Sequence, residues 1–553
     1  MHDKQHVNIL PWLARVGLLG LLTLGATPVK ANIRDKQDGR TSALADQYTA
    51  ADAHNQPPVA VDDSGPGFVT FNHRPFITGS VLANDYDPDG DPLYIKSFNV
   101  SVAKGQIQYL YPGSLDTSFG LNGKVTTKFG SSEMGEDLLL QAGGRFVVVG
   151  TAFLDAIGMS FALARYNPDG SLDESFGAHG KVTTGFADGG AAFGAAMQSN
   201  GKIIAAGCGN QQFALARYNA DGSLDQSFGA GEQVLTGFAA NSSDCAYSVA
   251  IQTDGKIVAA GTSEDSSTSK FALARYNSNG SLDTTFGTQG KVTTHFTANS
   301  IDEGSAVVIQ PDGKILVVGD SDANLAVVRY NKNGTLDTNF GTSGKITLDT
   351  NHETVGPTIA LQADDRILVA ATSTGGILYI ARYNLDGNPD ITFGTNGLAT
   401  TVFSGCVGGS NPGLLASSDG KIIVAAACNQ DASVPFTIVR YTSNGSLDGT
   451  FGMGGIVTTY FTGIGAPHGI AMQPDGKLIV AGQSDDGFSV ARYLKGGTFF
   501  YNPNGQFDSL PLGQTAYDSY TYVVSDGVLT DTATVSITVE GGTSVFLPVV
   551  EKQ

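Results

Sequence analysis

Hydrophobic positions between residues 112 and 494 fall in short runs, and the same runs return in the same order. A strand-like "GKVTT" is followed by an apolar segment ending in Gln or Ser, then by "DGKIVAAG", then by "FALARYN". Gly, Asn and Asp separate the runs, as turns between short strands require. The last two runs are almost continuously apolar and rich in small residues. That predicts strands buried on both faces, not strands alternating between core and water.

The punctuation is equally regular. "FALARYNPDGSLDESFG" (161–177) returns almost unchanged at 213–229 and 271–287. The pattern L-D-x-x-F-G stands at 115–120, 172–177, 224–229, 282–287, 336–341 and 447–452, with the variant "PDITFG" at 389–394. An Arg-Tyr pair closes each unit, at Arg165, Arg217, Arg275, Arg329, Arg382, Arg440 and Arg492. The period is about 55 residues. Four short strands per repeat is the pattern of a propeller blade. Seven starts and seven ends predict an all-β, seven-bladed β-propeller over 112–494. A β-solenoid is the alternative, but the repeat is long for one rung. These words resemble the bacterial delta-60 repeat family in "GSLDxxFGxxGKV", "QxDGKIVVAG" and "ALARYNxDG". The resemblance implies a repeated extracellular β structure and no particular activity.

The flanks carry another pattern. Residues 57–111 contain "PPVAVDD" and "VLANDYDPDGDPLYIKSF", and residues 495–541 contain "GGTFFYNPNGQFDSLPLGQTAYDSYTYVVSDGVLTDTATVSITVEG". The first resembles the front half of bacterial cadherin-like, immunoglobulin-like domains and the second the back half. Together they have the size of one β-sandwich. The expected architecture is therefore a propeller inserted into a hairpin of a cadherin/Ig-like β-sandwich, since insertions are tolerated where strands turn.

The N-terminus reads differently again. Lys4 and Arg15 precede the apolar run "VGLLGLLTLGA" (16–26), and Val29 and Ala31 occupy A-x-A-like positions. This predicts a secretory signal peptide over 1–31. The run is short for an uncleaved membrane anchor. Residues 32–56 read as a flexible leader and 542–553 as a C-terminal tail, with no transmembrane segment in the mature chain. The expected location is secreted, extracellular or at the cell surface.

Composition narrows the function classes. Only 15% of residues are charged, Gly numbers 72 and the net charge is -20. A phosphate backbone is recognised by clustered Lys and Arg, so no nucleic-acid partner is expected. The four cysteines, Cys208, Cys245, Cys406 and Cys428, suit disulfides in an exported chain. Their places in the repeat pair Cys406 with Cys428 within the sixth unit. Cys208 then pairs with Cys245 across neighbouring units.

The sharpest chemical signal is "NDYDPDGDP" (84–92), which sets Asp85, Asp87, Asp89 and Asp91 at alternate positions. Crowded carboxylates repel unless a cation sits among them, and hard oxygen ligands suit Ca²⁺. It is not an EF-hand loop, because Lys96 stands where the bidentate Glu would be. The cadherin-like resemblance also implies calcium here, with Asp62, Asp63 or Asp518 as helpers. A solvated acidic turn is the plain alternative.

Catalysis has weaker support. His179, His295, His352, His468, Glu133, Glu136, Asp302 and Glu303 break the repeat, but the histidines fall at different points of their units. HExxH, GxSxG and a phosphate-cradling Gly loop are all missing from the sequence. The repeated Arg and the "NPDGSLD" turns read as structural. The expectation is a non-enzymatic binding or adhesion protein with an extracellular protein or glycan ligand. The variable loops "GSSEMGED", "ADGGAAFG", "AANSSDCAY" and "SGCVGGSNPG" would form its ligand face. The alternatives are an extracellular enzyme acting on polysaccharide and a non-binding structural surface component.

Overall fold

In the computed structural model the described residues are 56–542, apart from 72–75, 79, 89–92, 102, 156–157, 230, 267, 351–353, 374, 404, 407–410, 430–433 and 527. The expected signal peptide, all but the last residue of the leader, and nearly all of the tail lie outside them. No α-helix occurs among the described residues, and no helix there is long and apolar enough to cross a membrane. The chain divides into two units, Pro112–Leu494 and a second made of the segments flanking it.

The first unit holds seven four-stranded antiparallel sheets. The second blade is representative. Its strands are Gly190–Met197, Ile203–Gly209, Gln212–Tyr218 and Gln233–Thr236, paired in that order. Nearly every residue of its two middle strands is buried, because neighbouring blades cover both faces. This is why those runs lack alternation in the sequence. The first strands of successive blades touch one another, and the circuit returns from Ala466–Met472 to Ser132–Leu140. The core is accordingly divided into seven layers, each between two adjacent blades. Close approach of blades demands small residues at points. A Cβ on Gly304 would lie 2.5 Å from the carbonyl oxygen of Gly261 in the preceding blade.

The blades are offset from the sequence repeats by one strand. Each "GKVTT" strand opens a repeat in the sequence but closes the preceding blade in space. Lys181–Gly185, for example, is the outer strand of the first blade, paired with Gly158–Tyr166. The last blade consequently lacks an outer strand of its own. Lys124–Thr127, from the start of the unit, pairs with Gly487–Tyr493 at its end and closes the ring.

The second unit is a two-sheet sandwich. One sheet runs Val69–Phe71, Thr530–Glu540, Thr515–Ser525, Tyr94–Asn99, and the other Phe76–Ile77, Thr498–Asn502, Gln106–Leu110. Here the period of two does appear, with Ala533, Val535, Ile537 and Val539 turned inward. Gln106–Leu110 and Thr498–Asn502 are antiparallel partners. The propeller segment therefore occupies the connection of one host hairpin.

Candidate functional site

The residues that recur seven times are used up in holding blades together. Each Arg of the Arg-Tyr pair lies within 2.7–2.9 Å of the Asp of L-D-x-x-F-G. Its guanidinium also stacks 4.4–4.6 Å over the Phe of the same motif. In six of the seven a third contact reaches a turn carbonyl of the next blade, as from Arg217 to Ser278. Burial alone would raise these carboxyls. Hydrogen bonds and the adjacent cations overcome it, so Asp225, Asp283 and Asp337 stay below the usual carboxylate range. The "NPDGS" turns are likewise self-contained, with Asp169 Oδ1 accepting from the backbone and hydroxyl of Ser171.

Most repeat-breaking candidates are structural as well. Glu133 accepts the Phe129 and Gly130 N–H groups, and Asp302 accepts Phe296 N–H, the Ser300 hydroxyl and a bond shared with His295. His179 is exposed and pairs with Glu174 at 2.8 Å. His352 lies outside the described residues. A groove of 740 Å³ lined by Lys124, Tyr460, Phe461 and Asp486 is also built on a repeated device. Its Lys124–Phe461 contact recurs as Lys181–Phe129, Lys291–Phe238 and Lys345–Phe296.

Glu136 and His468 are different. Each is the extra residue of a β-bulge in the first strand of its blade, skipped by the ladder between Gly135 and Asp137 and between Pro467 and Gly469. Bulges re-aim side chains and gather near functional sites. The bulge recurs at Phe193, Tyr247 and Ser305, and at Gly356–Pro357. The circuit of first strands brings these positions side by side. His468 Nδ1 lies 3.6 Å from Glu136 Oε2, with side-chain exposures of 7% and 10%. Phe193 and Tyr247 pack together with centroids 5.1 Å apart and ring planes tilted by 53°. Asp137, next to Glu136, reaches across to the Ala195 N–H of the blade carrying Phe193.

Neither ring nitrogen of His468 makes a hydrogen bond of full geometry, and the Asn411 backbone gives it only a weak one. Burial pushes its pKa down to about 4, against a weaker upward pull from the Asn411 backbone. Burial, with the neighbouring Asp137, pushes Glu136 up to about 8. The pair is thus held uncharged at neutral pH. Sequence reasoning marked both residues but did not join them. The signal is there: counted back five positions from Gln141, Gln198, Gln252, Gln310, Gln362, Ser417 and Gln473, the repeats read Glu, Phe, Tyr, Ser, Pro, Pro, His.

In the sandwich, Asp85 accepts the Val61 N–H at 2.8 Å and the Tyr522 hydroxyl at 2.9 Å. Asp63 is buried, and its Oδ2 has no hydrogen-bond partner. Burial raises it to about 7, and although the Tyr522 hydroxyl pulls it down, Asp85 and Asp62 add to the rise. Carboxylates crowded in this way fit a hard cation. Among the described residues no group of three His, Cys, Asp or Glu converges to hold a metal, and Asp89 and Asp91 lie outside them. Asp518 is committed elsewhere, to Lys104 N–H, Gly105 N–H and the Tyr501 hydroxyl.

The structure joins Cys208 to Cys245, linking the second and third blades with Cα atoms 4.6 Å apart. Cys428 is disulfide-bonded, and Cys406 is its register partner on the short Gly405–Cys406 and Cys428–Asn429 ladder.

Seven segments of the chain, 141–176, 198–228, 252–286, 310–340, 362–393, 417–451 and 473–499, match the family described as "Domain of unknown function (DUF5122) beta-propeller". One such segment falls in each of the seven repeats, so every repeat is similar to this propeller family. Residues 55–132 match the bacterial Ig domain family. That match runs past the sandwich into the first propeller strand, and the strands that complete the sandwich lie beyond the propeller, at 495–542. No curated relative matches. A crystal structure of a protein from Lactobacillus plantarum is 10% identical, with 61% of this chain and 88% of that one covered and a TM-score of 0.38.

Proposed function

We propose that the protein is a secreted or cell-surface binding protein of the adhesion kind, not an enzyme. The Ig-like sandwich carries the propeller as its interaction surface. Propeller and bacterial Ig domains together are consistent with a surface or extracellular protein. One observation carries the finer reading. Every sevenfold residue is engaged in blade contacts, so the chain's individuality is concentrated in the first-strand bulges and in the blade-to-blade connections that precede them. Rigid scaffolds read ligands with such variable segments.

In this reading Ca²⁺ stiffens the sandwich, held by Asp85, Asp87, Asp89 and Asp91 with Asp63 and Asp62 beside them. What supports it is the crowding of carboxylates around Asp63. Bound calcium would neutralise them and strengthen the Tyr522 end of the core. The test is binding of the chain to an array of glycans and cell-surface polymers, in millimolar calcium and again in a chelator. Specific capture supports the reading. Capture of nothing across the array overturns it in favour of a spacer. Calcium titration of Asp85→Asn against the parent chain tests the metal separately, through loss of the calcium-dependent rise in Tm.

A further inference from the structure

The bulge positions of four consecutive blades present His468, Glu136, Phe193 and Tyr247 in that order round the ring. We propose that these side chains form a binding site for an uncharged sugar residue, with the Phe193–Tyr247 pair as the stacking wall and Glu136 and His468 as the hydroxyl partners. The proposal rests on the binding-protein reading and names the ligand class for one site within it.

Four observations lead there. The first strands line the centre of the ring, and the bulged residue is the one freed from the ladder. The His468 side chain is more than nine-tenths buried, its Nδ1 stands 3.6 Å from Glu136 Oε2, and neither ring nitrogen makes a hydrogen bond of full geometry, so both keep capacity for a ligand hydroxyl. The pair it makes with Glu136 supplies both donors and acceptors without net charge, which matches hydroxyl groups better than an ion. The two aromatic rings, tilted by 53° to each other, each offer a face of the kind that packs on the C–H side of a sugar ring. A polyanion is disfavoured by the net charge of -20 and by the absence of Lys or Arg from the bulge positions 136, 193, 247, 305, 357 and 468 and from the corresponding position 412 of the sixth repeat.

The test is calorimetric titration of the full chain with neutral trisaccharides of glucose, galactose and N-acetylglucosamine. Triglucuronate and tetramethylammonium serve as charged probes. The expected result is saturable uptake of at least one neutral trisaccharide and of neither charged probe. Tyr247→Ala and His468→Leu should each weaken it at least about tenfold, while Met453→Ser, on the exposed surface, leaves it unchanged. Thermal unfolding of each variant establishes that it is folded. Tyr247→Phe, which keeps the ring, should recover most of the loss if stacking is the cause. Preferential uptake of tetramethylammonium or triglucuronate would overturn the proposal. Sugar binding indifferent to Tyr247→Ala and His468→Leu would overturn it too, while leaving the broader binding function standing. Failure of every neutral sugar on a folded chain that still captures a polymer from the array would do the same.

Discussion

Arg492 and Asp116 stand 376 positions apart in the chain, and Arg492 Nε donates to Asp116 Oδ2 across 2.9 Å. The other six blades make the same contact between residues eight apart, as in Arg217 and Asp225. One local device thus becomes the clasp of the ring when the two ends of the propeller meet. Lys477 lies 3.0 Å from the same Asp116 oxygen, so two cations depend on one buried carboxylate.

Removal of that carboxylate leaves both cations uncompensated. Asp116→Ala should cost about 3–5 kcal/mol, the usual penalty for breaking a buried pair. The exposed Lys128–Asp486 pair, 3.7 Å apart, should contribute about 0–1 kcal/mol. Urea unfolding of the two variants side by side checks the ordering. Equal, small effects would mean that the clasp does not hold the ring.

Six of the seven blades also tie their tyrosine to the outer strand of the preceding blade. Tyr218 bonds Thr184 at 2.8 Å, and Tyr166 bonds Thr127 across the closure. In the fifth blade the corresponding position opposite Tyr383 is Leu348. Tyr218→Phe should therefore cost about 1 kcal/mol, and Tyr383→Phe distinctly less. Paired denaturation curves decide it, and a larger loss for Tyr383→Phe would contradict the assignment.

The bulge acid predicts a pH dependence. Glu136 is raised from 4.5 to about 8, chiefly by burial. Between those values the folded state keeps a proton that the unfolded chain releases, so stability falls as pH rises. Neighbouring His468 is lowered from 6.5 to about 4 by burial. There the unfolded state holds the extra proton, so its contribution grows with pH and is complete above about 6.5. Asp137, raised to about 6, also acts mostly below the upper window. Stability of the parent chain should decline from pH 6.5 to 8, and Glu136→Gln should flatten the decline. Urea midpoints at the two pH values measure this, and identical slopes for both chains would rule out a buried neutral acid.

The Cys208–Cys245 link spans 37 residues. Replacing both cysteines by Ala should destabilise the propeller by about 2–4 kcal/mol. Non-reducing peptide mapping should recover Cys208–Cys245 and Cys406–Cys428 as separate linked pairs. Other pairings, or free thiols, would contradict the placement of these strands.

Much of the architecture is legible in the sequence. Continuous apolar runs such as "KIIAAG" read as strands covered on both faces, and the blade interfaces bury them in that way. The sandwich was legible through the resemblance of the two flanks, and in the structure Ala533, Val535, Ile537 and Val539 line that core. The offset between repeat and blade was not legible. A "GKVTT" strand has the same local pattern whether it opens its own blade or closes the previous one. The bulge cluster was half legible: Glu136 and His468 stood out as exceptions to the repeat, but their different neighbours in the sequence concealed their common place.

The amino-acid sequence by itself determined the number of blades, the strand pattern within each and the split of the sandwich. The blade count and strand pattern follow from hydrophobic periodicity and turn chemistry, which act over a few residues and repeat, and the split of the sandwich from the resemblance of the two flanks to halves of one Ig-like domain. Only the tertiary structure decided which strand completes the seventh blade and that Arg492 meets Asp116. It alone placed a histidine from the last blade against a glutamate from the first. Such relations depend on ring closure and on bulges that turn single side chains off their ladders, and no local pattern of residues encodes a contact between chain segments more than 300 positions apart.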